Sequence, residues 1–562
     1  MKQTLLLIFA ITTGFSSTMA QGLVRGPYLQ FPTSSSMKVM WRTDVTTPSR
    51  VYYGPTLATV MDNQIDIADS VADHTVNITG LDPFTEYYYA ISDGATVLAG
   101  ADNNHRFTTS PVIGTVQPIS AWVIGDFGKG SNKQLDVKQS FLDHVGDDMP
   151  DLWLWLGDNV YNDGTDEEYT NKIFDSIYGY KEVYPRIPFM ATPGNHDYGS
   201  VLDLLQGADP TTHDGPYFDM IDVPTNGEMG GVPSNYELYY SFDYGNVHFM
   251  SLNSEVGSPI NGNWDWTGVD PFGLNSFNGS PMTDWMHADL QANDKPWVVA
   301  FIHQPPHTDG SHSSETFYEV YMQAVRENLA PILESYGVDL LIAGHSHVYE
   351  RSYLVNGFFG LPADFVASQH IVDGSSGKLS EGTPYVKYFD GPNPNLGTMY
   401  IVQGNSGSNE TEPSLAHPVM YAGHGCDTCI GSTMLNFNGD TMSGYYISKD
   451  EDILDEWTII KKVYPLGVEE QQLAPVVGLS VFPNPFTNET TVTFEVTENL
   501  RADVDLIDLS GRTVHNFHSG KMTVGKQKYI VNAAKLGLAK GTYLIRVITD
   551  KRPAVARMIK VE

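Results

Sequence analysis

Residues 152–161 read LWLWLGDNVY, and this stretch decides how the middle of the chain folds. Its five apolar residues are typical of a parallel strand buried on both faces, and the following glycine permits a sharp exit from the strand. Asp158 and Tyr161 come next, so oxygen donors stand at the carboxyl end of the strand. Ligands of open α/β sheets collect at that edge. The stretch therefore predicts an α/β sheet with a polar site.

Four further segments repeat this layout, with an apolar run followed by polar residues. The segments that follow the apolar runs are Gly125-Asp126-Phe127-Gly128, Gly194-Asn195-His196-Asp197, His303, and Gly344-His345-Ser346-His347. Each segment alone has an ordinary explanation, because Asp after Gly often forms a turn or a cap and a strand-end His is usually just hydrogen-bonded. Five in one order are far more informative. Together they offer oxygen and nitrogen donors without a thiolate, which suits iron, zinc or manganese.

Two metal ions would use this donor set better than one. A carboxylate such as Asp158 can bridge metals about 3.5–4 Å apart, the spacing that serves in-line displacement at phosphorus. Such a pair lowers the pKa of a bound water and neutralises phosphate oxygens. Its local field outweighs distant surface charge screened by salt, so an acidic protein can still bind an anionic ester.

The composition limits the class of protein. Of 562 residues, 41% are apolar and 12% aromatic, enough for sizeable cores in two or more domains. The formal net charge of −35 disfavours non-specific binding to nucleic acid or anionic lipid. Charged residues make up only 18%, so the acidity reflects scarce Lys and Arg rather than an acidic disordered tail.

Residues 1–20 predict a cleaved secretory signal peptide, with Lys2, an apolar run and a Thr18-Met19-Ala20 end. A buried strand and a membrane anchor are the alternatives, but the apolar run is too short for a bilayer. No transmembrane segment is expected, since no later run approaches about 18 apolar residues. Cys426 and Cys429 are the only cysteines, so they exclude a four-thiolate zinc site and favour a local disulfide over a redox dithiol.

Changes of pattern divide the rest of the chain. Alternating runs predict a small antiparallel β-sandwich over 21–111, strand and helix patterns predict an α/β domain over 112–464, and 465–478 is a linker. The helix expected from Glu315 to Tyr336 ends at Gly337. Alternation returns over 479–562, which predicts a third, all-β domain. That segment has 12 Lys/Arg and 8 Asp/Glu, a net charge of +4 that leaves −39 on the residues before it.

The ordered motifs resemble those of the purple acid phosphatases, in the calcineurin-like metallophosphoesterase superfamily. Tyr161 is the discriminating residue, and the continuation HVYER at 347–351 also looks like that family. The likeness covers residues 23–464. It implies a fibronectin-III-like sandwich in front of a four-layer α/β metallophosphoesterase sandwich.

The resemblance also implies a ligand set and a reaction. Ferric iron would be held by Asp126, Asp158, Tyr161 and His347. A divalent iron, zinc or manganese would be held by Asp158, Asn195, His303 and His345, with Asp158 bridging. Metal-bound hydroxide would attack phosphorus, and outer histidines would stabilise charge and protonate the leaving group, with His196 and His312 as the catalytic candidates.

The chain departs from the family pattern at three positions. Ala300 replaces a usual Val, which is a packing detail, and Asp197 replaces a Glu that plant members often have beside the ligands. Ser313 follows His312 where two adjacent histidines are common, which puts the leaving-group acid in doubt. His307 is a possible substitute, although its Pro-, Gly- and Ser-rich loop favours a surface histidine.

Residues 479–562 resemble the C-terminal sorting domains of the bacterial type IX secretion system. The likeness rests on VFPNPF at 481–486, DLIDLSGR at 505–512 and KGTYL at 540–544. It implies an exported protein that is released or attached at the cell surface. An ordinary carbohydrate-binding or structural sandwich is the alternative.

These features favour a secreted dinuclear-metal acid phosphatase acting on phosphate monoesters. A phosphodiesterase, nucleotidase or diphosphatase would use the same metals, and pocket shape would decide, with residues 261–279 expected on the rim. An inactive surface-binding protein is the third hypothesis. The retention of every ligand position argues against it.

Overall fold

The computed structural model describes residues 22–174, 177–199, 214–255, 280–316, 319–408, 416–464, 476–509, 511–549 and 553–561. The expected signal peptide, the expected rim of residues 261–279 and most of the expected linker lie outside the described residues. Among the described residues, no helix is both long and apolar enough to cross a membrane.

The N-terminal region is a six-stranded antiparallel sheet that folds around its longest strand. The strands are β1 (Leu23–Gln30), β2 (Ser36–Gly54), β3 (Asn63–Thr79), β4 (Glu86–Ser92), β5 (Val97–Gly100) and β6 (Arg106–Thr108). β3 pairs along nearly the whole length of β2, whereas β1 pairs with its first half and β4 with its last residues. Trp41, Val51 and Tyr89 are buried between the layers.

The middle of the chain contains two seven-stranded sheets that share a large apolar core. One has the order β17-β22-β21-β20-β7-β8-β9 and the other β10-β11-β12-β13-β18-β14-β19. The strands of this region are β7 (Ile119–Ile124), β8 (Leu152–Leu156), β9 (Phe189–Thr192), β10 (Tyr240–Tyr244), β11 (Val247–Ser251), β12 (Trp297–Ile302), β13 (Leu340–Ala343), β14 (Tyr349–Ser352), β15 (Leu354–Val355), β16 (Ile371–Asp373), β17 (Tyr385–Tyr388), β18 (Met399–Gln403), β19 (Met420–His424), β20 (Gly431–Asn438), β21 (Thr441–Ser448) and β22 (Ile453–Lys462). Of these, β15 and β16 form a separate two-stranded sheet.

Helices cover the outer faces of both sheets and complete the four layers. They are α1 (Asn132–Val145), α2 (Asp166–Tyr169), α3 (Pro216–Met220), α4 (Pro281–Ala292), α5 (Val320–Ala324), α6 (Ala330–Ser335) and the short α7 (Ala367–His370). Phe141 of α1 stacks on Trp122 of the first sheet with ring centroids 3.8 Å apart. Met286 and Leu333 pack with the strands of the second sheet.

The helix expected from residue 315 begins later than the sequence pattern indicated. It starts at Val320, widens into a π-helical turn over Val325–Leu329, and continues as α6 to Ser335. Pro331 stands at the start of α6 and has no N–H to donate, so the wider turn before it accommodates the missing bond. Gly337, in the left-handed region, follows the helix end as expected.

The C-terminal region is a sandwich of a three-stranded and a four-stranded sheet. Its elements are β23 (Val476–Phe482), β24 (Glu489–Val496), β25 (Leu500–Asp508), β26 (Thr513–Met522), β27 (Gly525–Asn532), α8 (Ala533–Leu536), β28 (Gly541–Thr549) and β29 (Ala554–Lys560). Val492, Val504 and Ile545 are fully buried between the sheets. The all-β fold expected here is therefore found.

The N-terminal sheet is held against the middle sandwich by polar contacts. Arg25 and Arg42 both bind the carboxylate of Asp166 at 2.6 Å. The Tyr28 hydroxyl donates to the carbonyl of Met220 at 3.2 Å. Arg25 is buried, so its ion pair is the better shielded of the two.

Candidate metal centre

The five sequence motifs end at one place, where the two sheets meet. Parallel pairing sets the carboxyl ends of β7, β8 and β9 side by side in the first sheet, and those of β12 and β13 side by side in the second. The loops that follow carry the expected ligands Asp126, Asp158, Tyr161, Asn195, His303, His345 and His347. The structure brings all seven together in two contacting groups. Their role as metal ligands stays a prediction.

The first group contains Asp126, Tyr161 and His347, which are all buried. The Tyr161 hydroxyl donates to Asp126 Oδ1 at 2.7 Å and lies 3.3 Å from His347 Nε2. Burial and the charges of Asp126 and Asp158 raise the pKa of Tyr161 well above its usual value. The phenol therefore keeps its proton unless a strong cation displaces it.

The second group surrounds His303, whose side chain is fully buried. Its Nε2 lies 3.1 Å from Asn195 Oδ1, 3.2 Å from His345 Nδ1 and 3.3 Å from Asp158 Oδ1. Its Nδ1 lies 2.9 Å from the Leu156 carbonyl, which can only accept a hydrogen bond. The proton of the neutral ring is therefore on Nδ1, and Nε2 presents a lone pair.

His345 is also oriented by a hydrogen bond to an acceptor, but through Nε2 rather than Nδ1. Its Nε2 lies 3.2 Å from a carboxylate oxygen of Glu319, so Nε2 donates and Nδ1 presents a lone pair. Two ring nitrogens and two oxygens thus converge as acceptors, an arrangement that a cation stabilises. Although burial lowers it, the charges of Asp158 and Asp126 raise the pKa of His303 to about 9. A proton on His303 Nε2 would turn one of these four acceptors into a donor.

The backbone is strained where it presents these side chains. Asp126, Asp158 and His345 have φ values of 56°, 47° and 67°, a left-handed region that costs a non-glycine residue about 1–3 kcal/mol. The glycine before each of these residues permits the turn and also leaves space for neighbouring atoms. A Cβ on Gly344 would lie 2.6 Å from Asp126 Oδ2, and one on Gly157 would lie 2.6 Å from the His303 ring. The sequence indicated the sharp exits but not these close approaches.

His196, a catalytic candidate, lies at the edge of the first group. Its Nδ1 contacts the Asn162 carbonyl at 2.6 Å, and its ring centroid is 4.4 Å from that of Tyr161. Its Nε2 is 3.9 Å from Asp158 Oδ2. His196 is half-buried, so a substrate can approach it.

His312, the second candidate, lies beside both histidines of the fifth motif. Its ring centroid is 4.4 Å from that of His345 and 5.9 Å from that of His347. Its side chain is 36% exposed, and its Nδ1 lies 2.7 Å from a carboxylate oxygen of Glu319. A histidine therefore reaches the edge of the centre from this loop, and its role as the leaving-group acid stays a prediction.

His307 corrects an expectation, because it is not a surface histidine. It is 1% exposed and stacks against Phe358 with ring centroids 5.5 Å apart. Burial, together with the neighbouring His417 and Arg326, lowers its pKa well below the usual value. A ring that stays neutral in an apolar pocket is a poor substitute for the leaving-group acid.

Asp197 joins the loops that follow β8 and β9, where the sequence placed it beside the ligands. Its buried carboxylate accepts hydrogen bonds from the Gly194 N–H at 2.7 Å, from the Asn159 amide at 2.9 Å and from the Tyr169 hydroxyl. Burial and the charge of Asp158 raise its pKa to about 7.

Two residues of the site were missed from the sequence. Glu319 contacts His312 and His345, and the ammonium of Lys129 lies 3.2 Å from the centre of the Tyr161 ring. Lys129 stands three positions after Asp126, so its proximity to the motif was a usable signal. Glu319 stands at the beginning of an expected helix, where acidic residues are common for unrelated reasons.

Comparison with known proteins matches three parts of the chain to known families. Residues 119–349 match the calcineurin-like phosphoesterase family. Residues 24–109 match the N-terminal domain of purple acid phosphatases, and residues 480–561 match the secretion system C-terminal sorting domain. The three matches follow one another along the chain in the order that the resemblance implied.

Individual relatives are distant. Purple acid phosphatase 15 of Arabidopsis thaliana is 28% identical over 327 residues, covering 54% of this chain and 53% of the relative. The chain spans about half to two thirds of the length of the first curated relatives it matches. The solved purple acid phosphatase PPD1 from yellow lupin (Lupinus luteus) seeds has a TM-score of 0.55 at 17% identity, covering 80% of this chain and 77% of the other.

The fold alone does not select the substrate. A solved structure of PhoD has a TM-score of 0.54 at 13% identity, covering 79% of this chain and 94% of the other. That score nearly equals the score of the lupin structure. Function must therefore be argued from the site.

Proposed function

We propose that the protein is a secreted acid phosphatase that hydrolyses phosphate monoesters at a dinuclear metal centre. The observation that carries this proposal is the convergence of Asp158, Asn195, His303 and His345 as acceptors, next to Asp126, Tyr161 and His347. The choice of monoesters rests on relatives named acid phosphatases.

Two cations fit the two groups of donors. We assign ferric iron to Asp126, Asp158, Tyr161 and His347, because a buried phenol needs a strong cation to lose its proton. We assign divalent iron, zinc or manganese to Asp158, Asn195, His303 and His345. When bound, the metals supply an activated water and positive charge for phosphate oxygens.

The side chains of the chain set the charge of the site and deliver protons. Asp126, Asp158 and ionised Tyr161 bring three negative charges against a formal +5 for the two ions, so the loaded centre attracts a phosphate dianion. His196 and His312 are the half-buried groups at its edge. We assign them to stabilising phosphate charge and to protonating the leaving alkoxide.

The two ends of the chain support export. We propose that residues 1–20 direct the chain across the first membrane and that residues 479–562 are read by the type IX secretion machinery. The mature protein, with its N-terminal sandwich over 21–111 and its catalytic domain over 112–464, would then be released or attached at the cell surface.

The test is phosphate release from an aryl monoester and from the matching diester, at acid and neutral pH. We expect faster monoester turnover, lost in Asp158→Asn. Faster diester turnover would replace the proposal with a phosphodiesterase. The absence of metal-dependent turnover on either ester would favour the binding-protein hypothesis.

A further inference from the structure

One carboxylate connects the expected metal ligand His345 with the expected proton donor His312. Glu319 Oε1 lies 2.7 Å from His312 Nδ1, and Oε2 lies 3.2 Å from His345 Nε2. The Glu319 side chain is only 15% exposed. Each carboxylate oxygen therefore holds a different ring in a shielded place, where such bonds orient side chains strongly.

The three side chains also qualify as a cation site, since their donor atoms lie within 4.8 Å of one another. The contacts favour hydrogen bonds instead. Each of the two rings has its own carboxylate oxygen, and both separations match direct N–H···O bonds. A ligating histidine that donates its other N–H to a carboxylate is also the usual way in which proteins orient metal ligands.

Both bonds fix a tautomer. Because Glu319 only accepts, His312 carries a proton on Nδ1 and His345 carries one on Nε2. Because the Nδ1–H of His312 is bonded to Glu319, only its Nε2 can deliver a proton to the leaving group. The fixed Nε2–H of His345 leaves its Nδ1 to face His303.

We propose that Glu319 is the positioning residue of this site. It fixes His312 relative to the expected ligand His345, so that His312 protonates the leaving group. As the P–O bond breaks, its electron pair stays on the leaving oxygen and the proton of His312 Nε2 transfers there, while the Nδ1 proton stays on His312, hydrogen-bonded to Glu319. This inference rests on the proposed function. It explains how one histidine, followed by Ser313, serves where two adjacent histidines are common.

Glu319→Gln separates the two bonds. Gln keeps one acceptor oxygen, so it can accept from only one of the two rings, and we expect that ring to be His345. We therefore expect unchanged metal content by elemental analysis. We expect kcat/KM to fall about 100-fold on an alkyl phosphate, whose alkoxide needs a proton, and less than about 3-fold on a nitrophenyl phosphate, whose phenolate does not.

Controls make each outcome decisive. Glu315→Gln is the matched variant, because Glu315 binds Arg326 at 2.6 Å instead of the two rings, and it should keep the alkyl-to-aryl ratio. His312→Asn should reproduce the altered ratio, and adding Glu319→Gln to it should change little further. If Glu319→Gln fails to fold by thermal unfolding, Glu319→Asp replaces it. We then expect a smaller fall in the same alkyl-to-aryl ratio.

Three results would overturn the inference. If Glu319→Gln loses metal and loses equal activity on both esters, Glu319 only supports the metals. If the alkyl-to-aryl ratio is unchanged, Glu319 does not position His312. If the wild type binds three metals per chain, the three side chains form a cation site. A wild type without metal-dependent turnover on any ester would instead overturn the proposed function.

Discussion

Replacing His248 with glutamine perturbs a buried charge cluster between the second sheet and α4. His248 is 1% exposed, with Nδ1 2.8 Å from Asp243 and Nε2 2.9 Å from Asp289. Lys295 lies 3.5 Å from Asp243. With His248 protonated, two cations balance two carboxylates. When His248 loses its proton, Asp289 loses its cationic partner, and Asp243 keeps only Lys295, which also contacts the exposed Asp294.

The magnitude follows from the pKa. Although burial lowers it, the hydrogen bonds to Asp243 and Asp289 raise the pKa of His248 from 6.5 to about 9. Since each pKa step corresponds to 1.36 kcal/mol, the protonated ring contributes about 3 kcal/mol to the free energy of unfolding. A raised pKa means that this contribution is complete below pH 6.5 and is lost as the pH rises through 9.

The assay is the urea midpoint of the wild type and His248→Gln between pH 6 and 10. We expect the two midpoints to lie far apart at pH 6 and to approach each other by pH 10. His144→Gln, at an exposed histidine, is the control and should follow the wild type. A difference that stays constant with pH would refute the charge argument and assign the effect to packing.

Other predictions concern the metal centre and its support. Tyr161→Phe should remove the visible tyrosinate-to-iron absorption of the oxidised, iron-loaded protein, and a colourless iron-loaded wild type would rule out the iron assignment. Gly194→Ala should lower metal content, because its Cβ would lie 2.1 Å from the backbone nitrogen of Asp158, whereas Gly374→Ala meets only an ordinary contact at 3.5 Å and should not. Asp455→Asn should destabilise the protein by about 3–5 kcal/mol in denaturant melts, since it breaks the buried pair with Arg351 at 2.6 Å, and a loss below 1 kcal/mol would contradict this.

The sequence predicted the local parts of the site well, because each part is a strand followed at once by its polar residues. Strands β7, β8, β9, β12 and β13 all occur where the apolar runs indicated. The sequence pattern did not show that they divide between two facing sheets. That division depends on pairings such as β7 with β20, in which Trp122 lies opposite Met434, and no local pattern records a partner so far along the chain.

The contacts around the ligands were harder to foresee for a related reason. Glu319 contacts His312 and His345 from the position just before the helix, which begins at Val320, later than expected. His307 was expected at the surface because its loop is rich in Pro, Gly and Ser, yet the side chain packs against Phe358. Composition describes a loop's conformational freedom, whereas burial depends on which side chains the rest of the fold brings to it.

The most direct test of the account is the number of metal ions bound per chain. Elemental analysis of the purified wild type should give two metals per chain, one of them iron, and Asp158→Asn should lose metal because both sites share that carboxylate. One or no metal in an active wild type, or two retained metals in Asp158→Asn, would contradict the dinuclear centre.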